Sequence, residues 1–183
     1  MLGLWHRQLD FYNGYYTIGD QGLAWGCSLF SALKIVVYAL GGTRHAVQTI
    51  EPIYIAVTVV LGAGIVVALG RLPLRFWEQI TLLTLAFVAL PATSGDYKLL
   101  HIVVPMVLFL RYGTIDRWRH WYLAGSAALM VPWAYVILRP DGTNLGVLID
   151  PLVMLAMGLA IIAAGLTRRH ADRLSATTRL TSG

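Results

Sequence analysis

Charge is scarce in this chain. Asp, Glu, Lys and Arg make up 13% of its 183 residues, while 57% are hydrophobic and the mean hydropathy is +0.67. Soluble domains carry about 25% charged residues. A helical globule of this size would lack the charge to solvate its surface, and its helices would still need polar faces. A soluble all-α fold is therefore set aside, and lipid is the expected solvent for most of the chain. The single cysteine, Cys27, rules out an intrachain disulfide and reads as a small apolar residue in a packed segment. The sequence has no His/Cys cluster at metal-ligand spacing, no phosphate-cradling Gly-rich loop and no nucleophile elbow. No cofactor is thus identifiable, and a divalent metal has no support. No pair of carboxylates lies within the apolar runs, which weakens a proton pump or ion-coupled transporter. The first 22 residues hold no apolar core of a cleavable signal peptide. No internal repeat is present.

What the chain has is long apolar stretches. A helix needs about 20 apolar residues to cross the hydrocarbon of a bilayer. Five spans are predicted: Pro52 to Gly70; Gln79 to Pro91, starting near Phe76; Leu99 to Leu110, extending from Tyr97 to Tyr112 with Pro105 inside; Trp121 to Leu138; and Pro151 to Thr167, with Asp150 as its cap. Gly62, Gly64, Gly70 and Gly158 are expected to permit close helix packing. Leu23 to Leu40 is either a sixth span or an amphipathic helix in the interface, with Cys27, Ser31, Lys34 and Tyr38 on one face. The expected fold is therefore all-α, a polytopic transmembrane bundle of five or six spans. Residues 1–22 form an aromatic and polar extramembrane segment, 23–167 the helical domain, and 168–183 a basic, solvated and fraying tail.

The formal net charge of +5 would hint at nucleic acid in a soluble protein, but topology accounts for it better. Alternating spans put Arg71, Arg75, Arg111, Arg117, Arg119, Arg168, Arg169, Arg173 and Arg179 on one side and Arg44, Lys98 and Arg139 on the other. That bias marks the first side, with the C-terminus, as cytoplasmic. Trp77, Trp118, Trp121 and Tyr122 form the expected aromatic belt there, and Tyr54 and Tyr97 the opposite one.

Candidate chemistry lies on the outer side. The loop from Ala92 to Lys98 opens a helix that carries His101; Lys98 and His101 share a face in its first turns, where free N–H groups already favour an anion such as a phosphate headgroup. Set against this, Ser94 or Asp96 acts as a helix cap, Tyr97 as an interface anchor and Lys98 as a snorkelling side chain. Arg139 and Lys34 are further phosphate candidates, each with an alternative as an interface residue. Trp5, Phe11, Tyr12, Tyr15, Tyr16 and Trp25, interleaved with Asp10, Asn13, Asp20 and Gln21, suit a sugar, a lipid headgroup or a segment resting on the membrane.

Two stretches, Gly26 to Lys34 with its Ser-Leu-Phe segment, and Leu90 to His101 followed by Pro105, resemble parts of GT-C type membrane glycosyltransferases of the bacterial α-mannosyltransferase-like branch. The resemblance covers about a quarter of the chain. It implies an extracytoplasmic site in a bacterial inner membrane and a polyprenyl-phosphate sugar donor. Lys98, His101, Arg139 and Lys34 would hold the phosphate, and Asp96, Tyr97 and Ser94 would line the substrate. The family's catalytic acid lies in a first outer loop near the start of a longer chain and has no counterpart here, so the expectation is a C-terminal portion with no catalytic residue assigned. The other function classes are an assembly or anchoring subunit and, with less support from the apolar spans, a small permease.

Overall fold

A computed structural model describes residues 2–19, 23, 26–94, 100–113, 118–131, 144 and 146–181. Helices account for almost all of them, and no strand occurs among the described residues. Helix α1 (Leu2–Tyr12) runs into a π-helical turn (Asn13–Thr17). There follow α2 (Leu29–Ala39), α3 (Arg44–Arg71), α4 (Phe76–Ala89), α5 (Val103–Tyr112, entered through a 3₁₀ turn), α6 (Trp118–Met130) and α7 (Gly146–Thr181). Two of these, α3 and α7, are long and apolar enough to cross a membrane.

Local chemistry sets the ends. Ser28 caps α2, its Oγ accepting from Ser31 N at 3.1 Å. At the other end Gly41 takes φ +80°, and the Gly41 and Gly42 N–H groups bond back to Tyr38 O and Val37 O, closing a Schellman turn. α4 starts at Phe76, as the sequence predicts, because Glu78 Oε2 accepts from the Arg75 N–H at 2.8 Å.

Three expectations about span limits change. α3 begins at Arg44 rather than Pro52, carrying Glu51 and Pro52 within it; Pro52 forfeits one helix donor without ending the helix. α7 begins at Gly146, so Asp150 is no cap: it is buried within the helix, and Asn144 Oδ1 accepts the Gly146 N–H at 2.8 Å instead. The same helix continues unbroken through Arg168 to Thr181, where a fraying tail was expected.

The core lies among α4, α5, α6 and α7, around Trp77, Leu85, Val88, Ile102, Phe109, Tyr122 and Met154. Trp77, Phe109 and Tyr122 meet ring to ring, with centroids 4.4 to 5.0 Å apart. Trp77 and Tyr122 are therefore core residues rather than belt residues, and so is buried Tyr54, whose hydroxyl donates to Leu90 O at 2.7 Å; Trp121 is exposed as a belt requires. Trp118, in side chain, and Tyr97 lie outside the described residues. α3 joins the bundle at its two ends: Val47 and Tyr54 pack with Phe30 at one, Ile65 and Leu69 against Leu74 and Leu82 at the other. Between them its surface is bare, and a Cβ at Gly62, Gly64 or Gly70 would meet nothing within 4 Å. The close approaches fall elsewhere, at Gly125 against Met157 and Gly165 against Leu72 and Leu74.

Glu78 ties α4 to α7. Its Oε2 accepts from Arg168 Nη2 at 2.6 Å while also holding Arg75 N, and its side chain is 5% exposed against 28% for Arg168. Removing one partner of a mostly buried pair strands the other. Glu78→Ala is expected to cost roughly 2 kcal/mol and to lower the thermal unfolding midpoint in detergent, with Glu78→Gln intermediate because it keeps an acceptor. Equal midpoints for all three proteins would refute this.

Candidate functional site

The two stretches that carry the family resemblance meet in space. Cys27 N donates to Ser94 O at 2.9 Å, Cys27 Sγ donates to Ser94 Oγ at 3.4 Å, and Ser28 Oγ donates to Ala92 O at 3.1 Å. Thr17 and Thr93 pair through their hydroxyls, and Asn144 N reaches Leu23 O at 3.4 Å. One end of the bundle thus gathers the π-turn, the start of α2, the loop after α4 and the approach to α7.

Lys34 organises this end. It is 1% exposed, and its Nζ donates to Thr17 O at 2.7 Å, Gly19 O at 3.1 Å and Tyr16 O at 3.4 Å. These carbonyls close the N-terminal helical segment, where the helix dipole leaves partial negative charge, so a buried ammonium is both satisfied and favourable there. The turn needs Gly19: a Cβ at that position would collide with Tyr15 O. The π-turn bond from Ile18 N to Asn13 O, at 2.9 Å, widens the backbone there.

Beside this clamp lies a cavity of about 610 Å³ lined by Asp10, Phe11, Gly14, Tyr15, Gly19, Tyr38 and Arg44. Phe11 and Tyr15 are stacked with centroids 5.6 Å apart, and Arg44 Nη2 donates to Gly14 O at 2.6 Å, holding the cavity's two walls together. A guanidinium suits a phosphate. Aromatic faces and a carboxylate suit the C–H face and the hydroxyls of a sugar. Asp10, Phe11 and Tyr15 stand out in the sequence; Arg44 and Tyr38 do not, because their place here depends on α2 and α3 folding back onto α1.

Of the predicted phosphate set, Lys34 and His101 lie among the described residues. Lys34 points at backbone carbonyls. His101 is exposed at the entrance to α5, its ring 5.5 Å from that of Phe87, rather than turned into a cavity. Ser94 is buried and engaged by Cys27. Asp96, Tyr97, Lys98 and Arg139 lie outside the described residues, as do Asp20, Gln21 and Trp25. No group of three or more His, Cys, Asp or Glu side chains that could hold a metal ion occurs among the described residues. Set against known protein families, curated proteins and solved structures, the chain matches none.

Lys34→Met keeps the length of the side chain and removes its donors. The stranded carbonyls should cost about 2–3 kcal/mol, and amide exchange in residues 13–19 should rise with no comparable change in α4. Unchanged protection in that segment would remove the clamp.

Proposed function

We propose that this chain is an integral membrane protein of five spans, α3 to α7, whose outer end binds the sugar-phosphate head of a polyprenyl-phosphate sugar as the donor-holding region of a membrane glycosyltransferase. The membrane assignment is supported by α3. Its apolar window is only 6% buried, unlike the mostly buried core helix of a soluble protein. In this reading α2, which carries the buried Lys34 and packs against α7, lies beside the spans rather than forming a sixth. Arg71, Arg75, Arg111, Arg168 and Arg169 collect at one end and Lys34 and Arg44 at the other, which favours a cytoplasmic side for the first end.

The observation that carries the donor reading is the junction of Cys27 and Ser28 with Ala92 and Ser94. Two segments, singled out separately by their likeness to one enzyme class, join at the end of the bundle that also carries, through the Thr17–Thr93 pair and the turn at Gly19, a cavity offering Arg44, Asp10 and stacked rings. In this reading Arg44 meets the phosphate, Asp10 accepts from sugar hydroxyls, Phe11 and Tyr15 pack on the ring, and the polyprenyl chain stays in the bilayer.

Two experiments test it. Polyprenyl-phosphate mannose titrated into the purified chain should bind about tenfold more weakly to Arg44→Gln and to Asp10→Asn, and the free polyprenol should not compete. Equal affinity of the parent and the double variant would sink the site. For topology, a Cys27→Ser background carrying either His45→Cys or His170→Cys should react with an impermeant maleimide from opposite faces of oriented vesicles. Labelling of both from one face would overturn the odd number of crossings between them.

A further inference from the structure

A second cavity, of about 360 Å³, lies at the opposite, arginine-rich end between α4, α6 and α7. Small residues form it: Ala124 and Ala128 recur at one-turn spacing on α6, as Ala160 and Ala164 do on α7, while Met157 against Gly125 fixes the separation of these two helices. Small residues usually bring helices into contact. Here they leave a gap whose lining is mostly apolar and whose α6 wall includes the exposed ring of Trp121.

The polar groups at this end are unevenly satisfied. Glu78 lines the cavity and is taken up by Arg168 and Arg75 N. Trp77, its neighbour in the wall, is 5% exposed, and its Nε1 donor has no partner among the described residues; neither has the buried Nε of Arg168, one turn beyond Ala164. Buried donors of this kind are costly unless an acceptor reaches them. The Glu78 carboxylate is already spent on Arg168 and Arg75 N, so these two donors are left to take an oxygen acceptor from a ligand. A ligand that meets both conditions has a hydrocarbon chain and oxygen acceptors at one end, and the surrounding arginines favour negative charge there.

We propose that this cavity holds one acyl chain of an anionic phospholipid, with its ester and phosphate oxygens accepting from Trp77 Nε1 and Arg168 Nε. The site is separate from the outer cavity and does not rest on the donor-binding reading.

The test uses the whole chain reconstituted in vesicles of phosphatidylglycerol and phosphatidylethanolamine, re-extracted in mild detergent and weighed by native mass spectrometry. The expected result is one phosphatidylglycerol retained per chain. Ala160→Phe, which fills the cavity, should abolish retention. Trp77→Phe, which keeps the ring and loses the donor, should lower it about tenfold. Ala164→Leu serves as a milder plug, should the bulkier variant lose its cooperative melt. A parent that retains no phospholipid, or a folded plugged variant that retains as much as the parent, overturns the site. Equal retention of phosphatidylethanolamine overturns its anionic character.

Discussion

A helix that is apolar on every side must be taken out of water by something, and in this chain the other helices do not do it. The most apolar window of α3 has a mean hydropathy of 2.5, and side chains such as Val60 and Val66 stand two-thirds or more exposed. Each Å² of such surface left in water costs about 25 cal/mol. The rest of the bundle touches α3 at its ends and leaves the middle bare. A lipid environment removes that cost and asks of the protein only that α3 be tethered. The tethers are Tyr54 with Phe30 and Val47 at one end and Ile65 and Leu69 at the other.

The same constraint explains how polar groups inside the bundle are used. Lys34 spends its ammonium on three carbonyls, Tyr54 gives its hydroxyl to Leu90 O, Thr81 returns its own to Trp77 O, and Glu78 serves a backbone amide and an arginine. Where water cannot compete, a buried polar group is tolerable only when paired. Here the pairs hold the fold: all four residues join elements distant in the chain, Thr81 through its second contact with the Tyr122 hydroxyl at 3.3 Å. Polarity is thereby drawn to the two ends, and each end takes its own chemistry.

Much of the helix layout is legible in the sequence because charge gives way to apolar residues abruptly. The step from Arg75 to Phe76 falls where α4 starts, and the apolar run gives way from Leu110 to Arg111 one residue before α5 stops at Tyr112. The two misplaced starts share one cause. Glu51-Pro52 and Asp150-Pro151 both read as the opening of a helix, since Pro fits a first turn, yet each sits inside one. Nothing local distinguishes the two situations. What decides α7 is Asn144, whose Oδ1 accepts the Gly146 N–H. Periodicity likewise cannot say which aromatics face protein, so Trp77 and Trp121 look alike in sequence and differ in place. The outer site was half legible. The aromatic repeat of Phe11 with Tyr15 and Tyr12 with Tyr16 follows helical spacing. The approach of Arg44 to Gly14, 30 residues away, and of Cys27 to Ser94, 67 away, belongs to the tertiary fold alone.

The two cavities divide between them what an amphiphile offers. The cavity at the Lys34 end offers a guanidinium, a carboxylate and ring faces, which would suit a headgroup; the one at the arginine-rich end offers methyl groups, which would suit a hydrocarbon chain. The two share no lining residue, and the core side chains Leu85, Val88, Ile102, Leu129 and Met154, at 0 to 4% exposure, line neither. Well-packed interiors of this kind do not deform continuously. Occupancy of one cavity can therefore influence the other only by shifting α4 or α7 as a unit. α7 borders the cavity at the arginine-rich end, carries Arg168 there, and packs against α2, the helix that bears Lys34. Any coupling between a lipid at one end and a headgroup at the other would travel along that helix.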